Sequence, residues 1–488
     1  MKVAPTSVDC RRARTISLPF ATVGTRSRIT LRSFGASGVT PWENGRDGIN
    51  VLGPSTPVDL VLNGDHLRSS RAPFDGHLQD ALRDRAARDA IRSLHLWSQR
   101  RSLLNTILST LTPDDEGVRC SSIESISLRN VDASKLFAHH RLPKLYYLEL
   151  STGVTISSWE DFGSHTTALT TLSLTNTDIS HTPTTHQLLT ILTSNPRLQN
   201  LTLSGHVIPR DNGDGSTIPV PLHHLKRLSL NGNLHLIFQL LRRLDYPETM
   251  AEMTLTVSRC AVEDVLGTFG PYMRDYIRRD GRFRGGLGIL VNSIANSIGD
   301  SVSIQAGTIS NVEGPIQGVT FAKFTAILLE ALPPSAEDKL CIDLVAHIPG
   351  EHVVYFRGDL SMDALRGIVT AMPNIQELHL STALLADRFL QPVSGEPLAN
   401  EKLLPSLRRL HLEDVVAGDG NWSPLLPYPA HQTPDGQGIS LTLSGEHQHI
   451  CKDIVRKIEG SVEELILDLF LHDDCPFGYC SVGEEDEE

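Results

Sequence analysis

Apolar positions along this chain recur in one short phrase. "LYYLEL" from Leu145, "LTTLSL" from Leu169, "LQNLTL" from Leu198, "LKRLSLNGN" from Leu225, "IQELHL" from Ile375 and "LRRLHL" from Leu407 each place an aliphatic residue at positions one, four and six. A helix would repeat its apolar residues at three and four. Here the last two sit two apart, as on a strand whose alternate side chains face a core. Between the strand phrases lie segments with helical spacing. "SQRRSLLNTILSTL" carries Leu103, Leu104, Ile107, Leu108 and Leu111; "THQLLTILTSNP", "LHLIFQLLRRL", "MDALRGIVTAMP" and "CKDIVRKIEG" follow the same pattern, and Pro196, Pro373 and Gly460 fall where three of these helices should stop.

The anchors Ile91, Ile123, Leu145, Leu169, Leu198, Leu225 and Met250 are separated by 32, 22, 24, 29, 27 and 25 residues, and the phrase returns at Ile375, Leu407 and Val462. Such a period, with one strand and one helix per copy, predicts a helix-backed leucine-rich-repeat solenoid. A single copy cannot bury both its strand face and its helix face, whereas stacked copies bury both. Only Leu225's copy carries Asn at the ninth position (Asn233), where it can satisfy backbone groups of the following turn. The division expected is a disordered basic leader and linker over 1–56, N-terminal repeats over 57–261, irregular repeats or an insertion over 262–350, C-terminal repeats and a cap over 351–470, and an acidic tail over 471–488. Order is expected to begin at "PVDLVLNG". In the irregular stretch "GGLGILVNSI", "DSVSIQAG" and "KLCIDLVAHI" read as strands.

Composition narrows the function classes. The 488 residues carry a net charge of −13, which disfavours a nucleic-acid binder. Residues 1–34 hold seven basic residues against one acid. Together with Ser and Thr, this composition admits mitochondrial import, though Pro5, Pro19 and Gly24 oppose an amphipathic helix. No apolar run is long enough for a membrane span. Seven scattered cysteines do not form a disulfide framework and fit a reducing compartment, cytoplasmic or nuclear.

Catalytic and cofactor motifs are not found in the sequence: no G-x-S-x-G, H-E-x-x-H, Walker loop or dinucleotide fingerprint occurs. "RGGLGIL" at 284–290 has the wrong glycine spacing, and "DNGDGS" from Asp211 lacks the Glu at position twelve of a calcium loop. His447, His449, Cys451, Cys475 and Cys480 are residue types that hold zinc, but no second C-x-x-C completes them, so no metal or other cofactor is assigned. The expectation is a non-enzyme. A catalytic site hidden in 262–350 would have to show as a cluster of titratable groups with shifted pKa values.

A binding surface remains. The third, fifth and seventh positions of each strand point to the concave face of a solenoid. From these positions Trp97, Arg129, Tyr147, Glu149, Arg227, Asn231, His379, Arg409 and His411 are the candidate protein-binding residues. Trp, Tyr and Arg are the types that most often dominate interface energetics.

"AIRSLHLW", "LPKLYYLEL", "NPRLQNLTLSG", "MPNIQELHL", "LLPSLRRLHLED" and the ending "HICKDIVRKIEGSVEELIL…DDCPFGYC" together resemble the fungal F-box/leucine-rich-repeat proteins of mushroom-type fungi, from "STPVDLVLNGDHL" to the C-terminus. The resemblance implies a substrate receptor of a cullin-type (SCF) ubiquitin ligase, in which an F-box grips a Skp-type adaptor and the repeats hold the substrate protein. Residues 1–56 lack the Leu-Pro-x-Glu-type opening and the three short helices of an F-box, so no adaptor-contact residue is carried over. Truncation and loss of the F-box both account for this. The alternative is an interaction scaffold without a ubiquitin role.

Overall fold

A computed structural model describes residues 27–32, 58–64, 82, 85–98, 101–112, 122–139, 142–175, 182–208, 219–247, 250–279, 283, 287–294, 301–308, 321–330, 332–358, 365, 367–368, 371–380, 406–413, 438–460 and 462–472. The fold is mixed α/β with extensive, mostly parallel sheet. It divides into two compact units, Met1–Pro183 with Gln187–Asn195, and Thr184–His186 with Pro196–Glu488.

In the first unit β1 (Ser27–Arg32), β2 (Val58–Gly64), β3 (Ile91–Ser98), β4 (Ser125–Arg129), β5 (Tyr147–Leu150) and β6 (Thr171–Thr175) pair in chain order, every pair parallel. Parallel neighbours need a crossover, and short helices supply it. The helix Arg101–Leu111 buries Leu104, Ile107, Leu108 and Leu111, four of the five residues its spacing predicts. The strand leucines line up across the sheet, Leu94 with Ile126, Leu148 and Leu172, and Leu96 with Leu128, Leu150 and Leu174. All eight are buried, each worth about 2–3 kcal/mol of removed apolar surface. Behind them Phe137 meets Phe162 edge-on at 5.0 Å, and Trp159 meets Phe162 at 5.5 Å. The turns between strands are tight. Asn130 (φ 56°) and Gly153 (φ 78°) adopt left-handed backbone, and a Cβ on Gly153 would lie 3.2 Å from the Cα of Asn130.

Asn195 closes this layer from below. Its side-chain oxygen accepts from the Leu169 N–H at 2.9 Å, while its Nδ2 donates to the carbonyls of Thr166 at 2.9 Å and Ile191 at 2.8 Å. The ends of the helices Trp159–His165 and Thr185–Ser194 and the approach to β6 are thereby held by a single buried amide.

The second unit contains β7 (Asn200–Ser204), β8 (Val220–Pro221), β9 (Arg227–Asn233), β10 (Leu244–Asp245), β11 (Glu252–Cys260), β12 (Leu287–Ile294), β13 (Ser301–Thr308), β14 (Phe321–Leu328), β15 (Val353–Gly358), β16 (Glu377–Leu380), β17 (Arg409–Glu413), β18 (Ser440–Cys451) and β19 (Glu464–His472). β8 and β10 form a small parallel pair of their own. The others run in the order β7-β9-β11-β14-β13-β12-β15-β16-β17-β18-β19. All pairings are parallel except β12–β13 and β13–β14. Asn233 ends β9 and caps the helix Leu234–Leu241, its side chain accepting from the His235 N–H at 3.0 Å.

The sequence pattern fades over 262–350 because an antiparallel meander is inserted there, entered in reverse order, so that β14 and not β12 lies beside β11. "KLCIDLVAHI" is not a strand. It lies in the helix Pro334–Val345 and the turn after it, with Leu340, Cys341, Leu344, Val345 and Ile348 buried at helical spacing. β14, "FAKFTAIL", is a strand that the sequence reading passes over. Nor is the leader wholly without structure, since Ser27–Arg32 pairs with β2 in register, Ile29 opposite Leu60 and Leu31 opposite Leu62. Most of 1–56, half of "MDALRGIVTAMP", the "DNGDGS" loop, Cys475, Cys480 and the acidic tail beyond His472 lie outside the described residues.

Candidate recognition face

The face opposite the buried leucines carries the third and fifth residues of each phrase in straight cross-strand rows. In the first unit Ser93, Ser125, Tyr147 and Thr171 form one row and His95, Ser127, Glu149 and Ser173 the next; Trp97 is aligned with Arg129 at the row's open end. Backbone pairing fixes these rows, so residues 22 to 32 apart in sequence become neighbours about 5 Å apart.

Two contacts join candidate residues here. The Arg129 guanidinium sits 5.1 Å above the Trp97 ring, a cation–π pair that holds a flat, half-buried indole in place. The Glu149 carboxylate accepts from the Ser127 hydroxyl at 3.0 Å and from the Tyr147 phenol at 2.9 Å. Burial, then the adjacent carboxylate, pushes the Tyr147 phenol up to about 12, so it remains a donor at neutral pH. Ser151, at the seventh position of its phrase, falls just past β5 and its hydroxyl caps the Leu128 carbonyl at 3.3 Å. It serves the turn.

In the second unit Arg227 and Asn231 lie on β9 and are exposed. Arg227 pairs with Glu252 at 3.6 Å, an open ion pair of little energetic weight. The denser cluster is on β15 to β18. Tyr355, Glu377, Arg409 and Ser440 make one row, and Arg357, His379, His411 and Thr442 the next. The His379 and His411 rings are stacked at 4.2 Å and 2° apart. Glu413 gathers two donors on one oxygen, Arg357 Nη2 at 2.8 Å and His379 Nε2 at 2.9 Å, while Arg409 Nη1 reaches Glu377 at 3.4 Å.

Burial lowers His379 to about 4, reinforced by His411 and Arg357 and opposed by Glu413. Burial lowers His411 as well. Both rings are therefore neutral near pH 7, and His379 holds its one ring proton on Nε2 to donate to the carboxylate. Burial raises Glu377, against the pull of Arg409, and pushes the Tyr355 phenol up to about 12.

His411 Nε2 also lies 3.2 Å from the Ser444 hydroxyl. A serine nucleophile would need its base oriented by an acid. Glu413, the acid on the same strand, is bonded to His379 and Arg357 instead. The arrangement is a cross-braced polar face on β15–β18; within 262–350 burial raises the Tyr272 phenol and lowers His347. Among the described residues no group of three His, Cys, Asp or Glu side chains is placed to hold a metal ion. His447, His449 and Cys451 lie on β18, but their side chains are outside the described residues, as are Cys475 and Cys480. No described helix is long and apolar enough to cross a membrane.

Arg357 and Tyr355, like Ser440 and Thr442 on β18, are members that the sequence reading missed. In "VVYFRG" the phrase's last aliphatic position is Gly358, aligned with Leu380, which hides the copy; the surviving signal is Val353 and Phe356 with the correct offset.

No protein-family model matches this chain. A search of curated proteins finds no match either.

Proposed function

We propose that the chain is a helix-backed leucine-rich-repeat solenoid that recognises a protein partner on its polar strand face, with no catalytic site of its own. In this reading it is the substrate-binding part of a cullin-type ubiquitin-ligase receptor. The observation that carries the recognition reading is the alignment of phrase positions into continuous rows. Buried leucines lie behind the rows, and Trp97, Arg129, Tyr147 and Glu149 stand on one stretch with Arg357, Glu377, His379, Arg409 and His411 on another. Braced aromatic and guanidinium groups lose little side-chain freedom on docking, which is what an interface hot spot requires. The ubiquitin-ligase assignment rests on the resemblance of the ordered phrases to the fungal F-box/leucine-rich-repeat proteins.

The test is a tagged pull-down from extract of the source cells with the proteasome blocked, read by mass spectrometry. Recovery of a Skp-type adaptor and a cullin supports the receptor reading. Recovery of a partner without either leaves an interaction scaffold. With that partner in hand, Trp97→Ala and Arg129→Ala are each expected to weaken capture about tenfold or more with the melting curve unchanged. Unchanged capture in both, with loss in Arg409→Ala, would move the docking site to β15–β17.

A further inference from the structure

β19 ends the second unit's ladder, pairing through one edge with β18 and through the other with none of the described strands. It is nine residues long, and a strand edge of that length presents a row of unsatisfied backbone donors and acceptors. Its side chains are also incompletely covered. Leu465 and Leu467 align with Leu441 and Leu443, which are fully buried, yet they are themselves only half-buried. On the opposite face Ile466 is 45% exposed. Glu464 and Asp468 flank it on that face, both exposed, with Ser440 donating to Glu464 at 3.1 Å.

We infer that this edge is a strand-addition site for an extended basic segment of a partner protein. Such a segment would carry aliphatic residues at alternate positions, to cover Leu465 and Leu467, and Lys or Arg opposite Glu464 and Asp468. Charge disfavours two other occupants. A second copy pairing antiparallel about Ile466 would set Glu464 against Asp468. The sixteen residues after His472 carry seven acids and no Lys or Arg, so they share the sign of the edge. The same acids that bar self-pairing attract a basic strand.

The probe is a labelled nine-residue peptide alternating Lys and Val, titrated into the full chain by fluorescence anisotropy. Controls are a Glu/Val peptide and a Lys/Val peptide N-methylated at alternate residues. The Lys/Val peptide is expected to bind, and both controls to bind at least about tenfold more weakly, the N-methylated one because it cannot complete the ladder. In the exposed double variant Glu464→Lys/Asp468→Lys the preference for Lys/Val over Glu/Val should invert. Hydrogen exchange should show new protection in residues 464–468 with the peptide bound. Equal binding of the N-methylated peptide would reduce the effect to bulk charge and overturn the site, as would a preference unmoved by the double variant. Sedimentation as a dimer, with 464–468 protected before peptide is added, would give the edge to a second copy and overturn it too.

Discussion

Asn195→Ala is expected to cost the first unit about 3 kcal/mol, a larger loss than most single substitutions bring. The residue is 1% exposed, and its amide makes three hydrogen bonds of 2.8–2.9 Å, to the Leu169 N–H and to the carbonyls of Thr166 and Ile191. Truncation removes these and leaves the Leu169 N–H facing apolar neighbours, and an orphaned buried peptide group costs about 1–3 kcal/mol by itself. Thr166 keeps its own hydroxyl bond to the Phe162 carbonyl at 2.9 Å, and the helix end stays tied through His165, whose carbonyl accepts from the Leu142 N–H at 3.2 Å, so the loss falls mainly on the Leu169 N–H. For a unit of this size the loss corresponds to a fall in melting temperature of about 6–12 °C. Asn195→Asp should be no better, since it keeps an acceptor for Leu169 but turns a carboxylate toward two carbonyls. Thermal melts followed by far-ultraviolet circular dichroism decide this. An alanine variant that melts with the parent would mean that the amide is replaceable by water and that the turn is held elsewhere.

Asn195 also marks where reading the sequence stops working. The strand phrase is legible because a strand's period of two is written directly into L-x-L, and parallel pairing in register then turns each phrase position into a row across the sheet. The anchors show it: Ile123, Leu145, Leu169, Leu198, Leu225, Met250, Ile375 and Leu407 are all buried. An asparagine sought at the ninth position of the phrase finds only Asn233, whereas the buried one precedes its anchor Leu169 in space and follows it by 26 residues in sequence. "KLCIDLVAHI" misleads for a different reason. Its apolar residues fit both periods over so short a run, and the helix wins because Leu340, Cys341, Leu344, Val345 and Ile348 share one buried face. The two-donor grip on Glu413 could not be read at all. It joins Arg357, His379 and Glu413 from three strands, and the copy carrying Arg357 ends in Gly358 where the phrase wants an aliphatic residue.

Acid is expected to weaken the second unit through His379. Unfolded, its imidazole titrates near 6.5; folded, it titrates near 4, because burial and the neighbouring His411 and Arg357 disfavour the charged ring more than Glu413 favours it. Between those values the unfolded chain binds a proton that the folded one refuses, so stability is intact above pH 6.5 and is lost progressively as pH falls to 4. The side chain is only 10% exposed, and a shift of that size is worth about 3 kcal/mol. His411, lowered for the same reason, adds in the same direction. Glu377, raised by burial, acts oppositely, being easier to keep folded once protonated. The contribution of His379 is therefore read by difference. His379→Gln can still donate to Glu413 but cannot titrate. Urea unfolding of the full chain at pH 7, 6, 5 and 4 should show the variant gaining on the parent by about 2–3 kcal/mol across that window, with most of the gain below pH 6. Parallel curves from pH 7 to 4 would mean that the stacked pair opens and takes up its proton without cost, in which case the brace between Arg357, Glu413 and His379 is not rigid. A gain of the expected size would show instead that the face is held in one arrangement before any partner arrives, which is the property that a recognition surface built from rows of fixed side chains requires.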